Sequence, residues 1–295
     1  MTTSNFKIAL FGNVFQTKKN KYVAAVIDKL KTMGAEIQIE KEFAAFIHND
    51  LHIDVTDYVK DFNEEIDADY AISMGGDGTF LNTAARIGDK GIPILGINTG
   101  RLGFLADVSP DMISESLDAL GRGECPTEQR TLLAIEKDGE PLTTYPYALN
   151  EVAVLKHDNS SLIEIETYVN GELLTNFMAD GLIVCTPTGS TGYSLSVGGP
   201  VIEPTSNSVC ISAVAPHSLS MRPVIVRDDA EITLKVHSRS HNFLVAIDGR
   251  SDSYPEGTLL TIRRAPYTIG VVKVKHKLFF DTLRDKMMWG VDQRL

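Results

Sequence analysis

The periodicity of the apolar residues changes near residue 130, and this change limits the possible folds more than any other feature. Before residue 130, short apolar runs alternate with patterns of helical spacing. After it, short period-two runs are separated by hairpin signals such as Asn170-Gly171 and Asp248-Gly249. Strands that alternate with helices imply a parallel sheet, whereas hairpins imply antiparallel pairing. We therefore predict a Rossmann-like α/β N-terminal domain with a parallel sheet, followed by an all-β C-terminal sandwich domain.

The predicted elements suggest where these domains begin and end. In the first part we predict strands at 7–11, 36–40, 70–74 and 93–98, and helices at 22–33, 79–87 and from Ser109 to about Leu120. Residues 278–289 return to helical spacing and are expected to pack against the first domain. The α/β domain is therefore predicted at 1–125 with 276–295, and the β-sandwich domain at 126–275.

Charge and cysteine usage narrow the range of partners and compartments. The formal net charge of −11 disfavours nucleic acid and membrane surfaces as partners, because both carry negative charge. The three cysteines are odd in number and none has CxxC spacing, which argues against a disulfide framework or a zinc site. The N-terminal stretch does not have the pattern of a signal peptide. We expect a cytoplasmic protein.

The strongest local motif is the glycine-rich turn Gly75-Gly76-Asp77-Gly78-Thr79, between a predicted strand and a predicted helix. Glycines allow a phosphate to approach the backbone closely, and a helix N-terminus favours its negative charge. The turn matches neither the Walker A sequence nor the GxGxxG dinucleotide fingerprint. We predict that Gly75, Gly76, Gly78 and Thr79 form a phosphate-binding loop.

Asp77 needs a separate explanation, because a carboxylate inside a phosphate-binding loop repels the ligand unless it has a task. It can accept the proton of an attacking hydroxyl as a general base. It can also bind Mg²⁺ that bridges phosphate oxygens. A third possibility is a purely geometric role as a helix cap.

A second polar constellation lies in the predicted β domain, where residues 180–200 read DGLIVCTPTGSTGYSLSVGGP. Its hydroxyls suit a ligand rich in ribose and amide groups, and Tyr193 offers a face for stacking. Ser, Thr and Gly are also common in ordinary surface loops, so both interpretations stay open here. Asn150-Glu151 follows a turn, and a carboxylate there is either a ribose-hydroxyl acceptor or simply solvated.

Taken together, several stretches resemble the NAD kinase family of bacterial type, in order over nearly the whole chain. They are GGDGTFLNTA (75–84), GINTGRLGFL (96–105), LNEVAV (149–154), the 180–200 segment, PHSLSMRP (216–223) and FFDTLRDKMMW (279–289). The GGDGT turn alone also resembles lipid kinases and 6-phosphofructokinases. Its combination with TPTGSTGYSLS is specific to the NAD kinases.

The resemblance implies a reaction and a set of site residues. ATP would phosphorylate the adenosine-side 2′-hydroxyl of NAD to give NADP, with a divalent metal, Mg²⁺, accompanying ATP and with Asp77 as the base or the residue that orients the hydroxyl. A homodimer or homotetramer is implied. The residues implied to bind NAD are Asp77, Gly78, Phe104, Asn150, Glu151, Asp180, Thr188, Thr191, Gly192, Tyr193, Ser194, Leu195, Ser196, Ala215 and Asp248.

Two alternatives remain, and three positions depart from the family pattern. The alternatives are another GGDGT-type kinase, acting on a lipid or a sugar, and a non-catalytic NAD(P)-binding regulator. Met178 stands where many members carry a basic residue, Gly192 where many bacterial members carry Ala, and Arg250 where Gln or another polar residue is frequent. The contacts of Arg250 are not predictable from the sequence.

Overall fold

A computed structural model describes residues 6–14, 20–62, 65–100, 103–158, 162–274 and 279–289. The chain divides into two units, one formed by Met1–Gln129 with Ile269–Leu295 and the other by Arg130–Thr268. The prediction from sequence placed these boundaries at 125/126 and 275/276. Among the described residues, no helix combines the length and the hydropathy that crossing a membrane requires.

The first unit is an α/β structure built on a parallel sheet. Its elements up to residue 121 are β1 (Lys7–Gly12), α1 (Asn20–Thr32), β2 (Glu36–Glu40), α2 (Lys41–Asn49), β3 (Val59–Lys60), β4 (Tyr70–Gly75), α3 (Asp77–Ile87), β5 (Ile94–Asn98) and α4 (Ile113–Gly121). The strand order is β5-β4-β1-β2-β3, and each neighbouring pair is parallel. The predicted α/β class with a parallel sheet is confirmed.

The sequence of β1 explains its central place in this sheet. Its residues Ile8 to Phe11 are all buried, an uninterrupted apolar run typical of a parallel strand covered on both faces. Each fully buried Ile or Leu side chain contributes roughly 1.5–3 kcal/mol of hydrophobic stabilisation. The core of the unit therefore forms around the middle strands, and their carboxyl ends remain available for ligands.

Strand β3 was not predicted, and two further details of the first unit differ from the prediction. Helix α2 was not predicted; it begins directly after β2, and the Glu40 carboxylate accepts the Phe43 N–H (2.9 Å) as its cap. The helix predicted from Ser109 begins instead with a 3₁₀ turn at Pro110–Met112, where Ser109 makes no side-chain capping bond. Proline at the first position fits such a turn, because its missing N–H is not needed there.

The second unit is a β-sandwich. Its strands are β6 (Thr127–Lys137), β7 (Glu140–Pro141), β8 (Tyr147–Ala148), β9 (Glu151–Lys156), β10 (Ile163–Val169), β11 (Glu172–Ala179), β12 (Gly181–Cys185), β13 (Ser208–Val214), β14 (Val224–Arg227), β15 (Ile232–His237), β16 (Asn242–Ile247), β17 (Arg250–Pro255) and β18 (Leu259–Val272). A one-turn helix, α5 (Tyr193–Ser196), follows β12. Strands β6 and β18 each extend a few residues into the first unit.

Two antiparallel sheets form this sandwich and share one core. One sheet has the order β11-β10-β15-β18 with β6 beside β18, and the other has the order β14-β13-β12-β9-β16-β17. Alternate residues such as Ile163, Ile165, Val152 and Val154 face the shared core. The alternation in β10 follows from the pleat, because one face of the strand is buried and the other is not. The predicted β-sandwich class of the second domain is confirmed, and besides its strands the domain contains the short helix α5.

The hairpin turns have the backbone that their sequences predict. Asn170 and Asp248 adopt φ values of 52° and 47°, and the glycine after each is also left-handed. Two successive left-handed residues define a type I′ turn, which Asn-Gly and Asp-Gly favour. The last described element of the chain is α6 (Phe279–Met287), grouped with the first unit, within the region where helical spacing was predicted. Leu278, where that prediction began, lies outside the described residues.

Candidate active site

The glycine-rich turn of the first unit lies at the carboxyl end of β4. Gly76 is the N-cap of α3, and Asp77 and Gly78 occupy its first turn, where the N–H groups have no acceptor within the helix. A side chain at Gly75 would collide with Thr79, so the tight turn requires glycine there. The predicted strand–turn–helix context is therefore present, and it can bind an anion.

Asp77 is not a cap of this helix. Its carboxylate reaches across to another loop and accepts three successive backbone N–H groups: those of Phe104 (2.9 Å), Leu105 (3.0 Å) and Ala106 (3.1 Å). A Cβ atom at Gly103 would overlap the carboxylate, so glycine permits the approach. The carboxylate is thus fixed in one orientation while remaining partly exposed.

Lys286, which no sequence motif predicted as a site residue, completes the surroundings of Asp77. Its Nζ lies 3.6 Å from Asp77 Oδ2 and 4.4 Å from the centroid of the Phe104 ring. The Phe104 ring also packs near Phe279, with 6.1 Å between centroids. The structure therefore brings Asp77, Phe104 and the glycine-rich turn together. No local motif marks Lys286, because it lies on a short helix near the end of the sequence.

A cavity of about 450 Å³ adjoins the glycine-rich turn in the first unit. From β1 the chain continues to β2 and β3 on one side of the sheet, whereas from β4 it continues to β5 on the other side. The topological switch point of the sheet therefore lies between β1 and β4. The cavity is lined by residues at the end of β1 and just after it, by two glutamates at β2 and α2, and by one face of α3. They are Phe11, Gly12, Asn13, Val14, Glu40, Glu42, Thr79, Asn82, Thr83, Ala85 and Arg86.

In the second unit, the polar segment after β12 surrounds Asn150 and Glu151. The Thr186 hydroxyl donates to Leu149 O (2.6 Å), and Thr186 N–H donates to Asn150 O (2.9 Å). The Tyr193 N–H donates to the Glu151 carboxylate. The segment is therefore joined to the 149–151 strand, and it is not a free surface loop.

Three oxygens in this part of the second unit are buried and lack a hydrogen-bond partner: Asn150 Oδ1, Glu151 Oε2 and Thr188 Oγ1. A buried polar atom without a partner costs roughly 1–3 kcal/mol, so such atoms call for an explanation. All three can accept hydrogen bonds. The arrangement fits a ligand that brings hydroxyl or amino donors.

Glycines and one aspartate hold this cluster together. A Cβ atom at Gly192 would lie 2.9 Å from Glu151 Oε2, so alanine at this position would displace the carboxylate. The Asp248 carboxylate accepts the N–H groups of Leu149 (2.7 Å), Asn150 (2.9 Å) and Glu151 (3.0 Å). Burial raises the pKa of Asp248, and these three amides oppose the rise. Asp248 thus positions the backbone from which Asn150 and Glu151 project.

The pKa of Glu151 is raised to about 7, first by burial and then by the negative charge of Asp248. The amide of Tyr193 opposes this rise without cancelling it. Near neutral pH the carboxyl group therefore exists in both protonation states. It can donate or accept a hydrogen bond according to pH.

The remaining predicted residues fall into two groups. The segment beside Glu151 contains five of them: Thr191, Gly192, Tyr193, Leu195 and Ser196. The Ser194 hydroxyl is instead buried, 3.3 Å from the Ser212 hydroxyl.

Asp180 and Ala215 lie at the far end of β12, about five residues or roughly 17 Å from Cys185 and the polar segment. Asp180 there forms an ion pair with Lys156 (2.7 Å). Asp180 and Ala215 are thus separated from the Asn150–Glu151 cluster of the same chain.

The described residues contain no group of three or more His, Cys, Asp or Glu side chains suited to holding a metal ion. Magnesium, however, commonly takes only one or two carboxylates and completes its shell with water and substrate phosphates. The chemistry of Asp77, a partly exposed carboxylate within the glycine-rich turn, fits such a contribution.

The glycine turn at the switch point and the acceptor cluster of the sandwich are features of a nucleotide-binding phosphotransferase. Residues 13–125 match the ATP-NAD kinase N-terminal domain, and residues 149–274 match the ATP-NAD kinase C-terminal domain. The chain belongs to the NAD kinase family, and it is a kinase, as the sequence predicted.

Curated relatives and solved structures agree with this assignment. The NAD kinase of Bacteroides fragilis (strain YCH46) is 56% identical over 98% of this chain and 100% of that protein. That of Porphyromonas gingivalis (strain ATCC 33277) is 43% identical over 98% of this chain and 99% of its own. The alternatives of a lipid or sugar kinase and of a non-catalytic regulator are therefore not favoured.

Two solved structures are similar in fold. An NAD kinase from Archaeoglobus fulgidus in complex with ATP has a TM-score of 0.75 at 25% identity, covering 96% of this chain and 98% of that one. The yeast NADH kinase complexed with NADH has a TM-score of 0.86 at 22% identity, covering 98% of this chain and 89% of that one. At that identity the second likeness supports the fold alone.

The raised pKa of Glu151 predicts a pH-dependent stability. In the folded protein the Glu151 carboxyl keeps its proton up to about pH 7, whereas its ordinary pKa is 4.5. The stability that the protonated carboxyl contributes is therefore fully present below pH 4.5 and is lost as the pH rises through 7. Between pH 5 and pH 8 the unfolding free energy of Glu151→Gln should therefore fall by roughly 2–3 kcal/mol less than that of the native protein. Urea denaturation at both pH values measures this.

Glu172→Gln, at an exposed strand end, is the matched control and should follow the native protein at both pH values. If the unfolding free energy of Glu151→Gln changes with pH as that of the native protein does, then Glu151 ionises in the folded protein as it does in water, and the prediction is wrong.

Proposed function

We propose that this chain transfers the γ-phosphoryl group of ATP to the adenosine 2′-hydroxyl of NAD, giving NADP. The observation that carries the proposal is the cluster of buried, unpartnered oxygens on Asn150, Glu151 and Thr188. A ribose presents hydroxyl donors and an adenine presents an amino donor, and together they would satisfy such acceptors. The NAD kinases that this chain resembles over their full length have the matching activity in their names.

We assign roles to the predicted NAD-binding residues on this basis. Asn150 and Glu151 accept hydrogen bonds from ribose hydroxyls, and Thr188 with the 191–196 segment holds the adenosine half. Tyr193 is 38% exposed, so its ring is available for stacking. Ser194 contributes through its backbone, because its hydroxyl is directed at Ser212. Asp248 acts by positioning the 149–151 backbone.

Asp180 and Ala215 would then contact NAD bound by a second copy of the chain. Their position at the far end of β12, roughly 17 Å from the acceptor cluster, leaves them free to meet a ligand held mainly by another copy. We therefore propose a homo-oligomer, a dimer or a tetramer. Cys185 and Cys210 face each other across β12 and β13 as thiols, which fits a reducing cytoplasm.

Asp77 would orient the 2′-hydroxyl, and it is placed to accept the hydroxyl proton as phosphoryl transfer proceeds. Three amide hydrogen bonds and Lys286 fix its orientation, and fixed geometry is what phosphoryl transfer needs most from a protein. Oδ2 accepts only one of the three amides, so it keeps capacity for a substrate hydroxyl. Phe104, beside it, would contact the adenine.

The donor nucleotide would bind at the switch point of the first unit. The first-turn amides of α3 face the phosphates, and the 450 Å³ cavity beside them takes the nucleoside. Magnesium, bound with ATP, would neutralise phosphate charge, and Asp77 is the carboxylate of the turn available to it.

The activity is tested by measuring NADP formation from NAD and ATP with a dehydrogenase that is specific for NADP. We expect product with Mg²⁺ and none once the metal is chelated. NADH in place of NAD, polyphosphate in place of ATP, and diacylglycerol as acceptor define the specificity. Phosphorylated diacylglycerol without any NADP would overturn the proposal.

Asp77→Asn tests the role of the carboxylate. Turnover should fall by about 10²–10⁴-fold, because an amide cannot accept the hydroxyl proton, while NAD affinity stays within a few-fold. Initial rates and equilibrium NAD titration separate the two effects. Asp89→Asn, at an exposed position in the turn after α3, is the control. Unchanged turnover in Asp77→Asn would remove Asp77 from the chemistry.

Asn82→Trp tests the donor cavity. Asn82 is an exposed residue of α3 that lines the cavity, and an indole there would occupy part of its volume. The KM for ATP should rise about tenfold or more, the equivalent of about 1.4 kcal/mol, while the KM for NAD changes less than twofold. Asn82→Ala removes the amide without filling the cavity and serves as the comparison. A rise confined to NAD would place the donor elsewhere.

A further inference from the structure

Arg250 lies directly after the Asp248-Gly249 turn, at the first position of β17, where it pairs with Ile247 of β16. The residue is exposed, but its guanidinium is held against the protein by hydrogen bonds to two backbone carbonyls. The guanidinium Nε donates to Ile247 O (3.1 Å), and Nη2 donates to Tyr147 O (2.8 Å). The side chain therefore connects the hairpin to the short strand β8.

An aromatic cluster supports this guanidinium from one side. Its Cζ lies 4.8 Å from the centroid of the Tyr145 ring, a cation–π geometry. The Tyr145 hydroxyl lies 3.1 Å from that of Tyr267, and the Tyr147 ring makes edge contacts with both rings at 5.4 and 5.0 Å. The planar group is thus held by two carbonyls and a ring face, an arrangement that lysine cannot reproduce.

Arg250 and Asp248 act on the same stretch of backbone. Arg250 holds the carbonyl of Tyr147, Asp248 accepts the amides of residues 149, 150 and 151, and the Asp248 N–H donates to Glu151 O (3.1 Å). The positive charge of Arg250 also opposes the rise that burial causes in the pKa of Asp248. Arg250 and Asp248, at one end of the β16–β17 hairpin, therefore form hydrogen bonds with the backbone of residues 147, 149, 150 and 151.

We propose that Arg250 is a positioning residue for NAD, which holds residues 147–151 so that Asn150 and Glu151 meet the ribose hydroxyls. The inference rests on the proposed function, because it requires that these two side chains bind NAD. Arg250 touches neither substrate nor reacting atoms. Its effect reaches the ligand through the Tyr147 carbonyl and the Asp248 carboxylate.

Arg250→Gln tests this role, because glutamine is shorter, uncharged and unable to bridge both carbonyls. We expect the KM for NAD and its dissociation constant to rise about tenfold, consistent with the loss of a charged hydrogen bond worth about 1.5 kcal/mol or more. The turnover number and the KM for ATP should change less than twofold. Arg250→Lys should recover part of the affinity, because it keeps the charge and one hydrogen bond.

Arg227→Gln is the matched control, since Arg227 lies in β14 of the same sheet and pairs only with neighbouring Asp229 among the contacts described. It should leave both KM values unchanged. A parallel fall of turnover and melting temperature in Arg250→Gln, without a selective loss of NAD affinity, would show a purely structural role and overturn the proposal. So would an unchanged NAD affinity.

A failure of the proposed function would give a different result, because the native protein itself would then form no NADP. NAD titration followed by calorimetry adds a readout that does not depend on turnover. If Arg250→Gln does not fold, the same comparison is made with Arg250→Lys, for which a rise of about threefold in the NAD dissociation constant supports the role.

Discussion

The functional parts of both units depend on the same interaction, a carboxylate that accepts three successive backbone N–H groups. Asp77 does this for residues 104–106, and Asp248 does it for residues 149–151. Three hydrogen bonds to a single carboxyl group fix three successive peptide units at once, so each aspartate holds its loop firmly. In both places the constrained backbone carries side chains assigned to NAD: Phe104 in the first unit, Asn150 and Glu151 in the second.

The second unit retains polar groups that its own fold does not satisfy. Asn150, Glu151 and Thr188 each keep a buried oxygen without a partner, although neighbouring groups such as Thr186 are fully bonded. Burial and the charge of Asp248 disfavour the ionised form of Glu151, which raises the pKa of its carboxyl group. Stability is lost at these positions, and a ligand that supplies donors would recover it on binding.

The three departures from the family pattern have different physical consequences. The Met178 side chain is 44% exposed and brings no charge to the end of β11. Because Gly192 has no side chain, Glu151 Oε2 can lie close to it, so the residue type at position 192 affects the position of the carboxylate. Arg250 reaches two carbonyls and a tyrosine ring. Two of the three thus act on the 147–151 segment.

Local patterns in the sequence determined the element types, the turns and the polar segments. The uninterrupted apolar run of β1, the alternation of β10 and the left-handed Asp-Gly and Asn-Gly turns follow from side-chain period and backbone sterics. Helix α2 escaped prediction because its cap is the glutamate that ends β2, not a residue typical of a helix start.

Contacts between distant segments were decided only by the tertiary structure. The amides that Asp77 holds lie 27 to 29 residues further along the chain, and those that Asp248 holds lie 97 to 99 residues before it. Lys286 reaches Asp77 from a helix near the end of the sequence. Local propensity does not encode such pairings, because they arise when strand order and register bring the segments together. The sequence therefore determined which residues could act, and the packing of the sheets decided which of them hold the others in place.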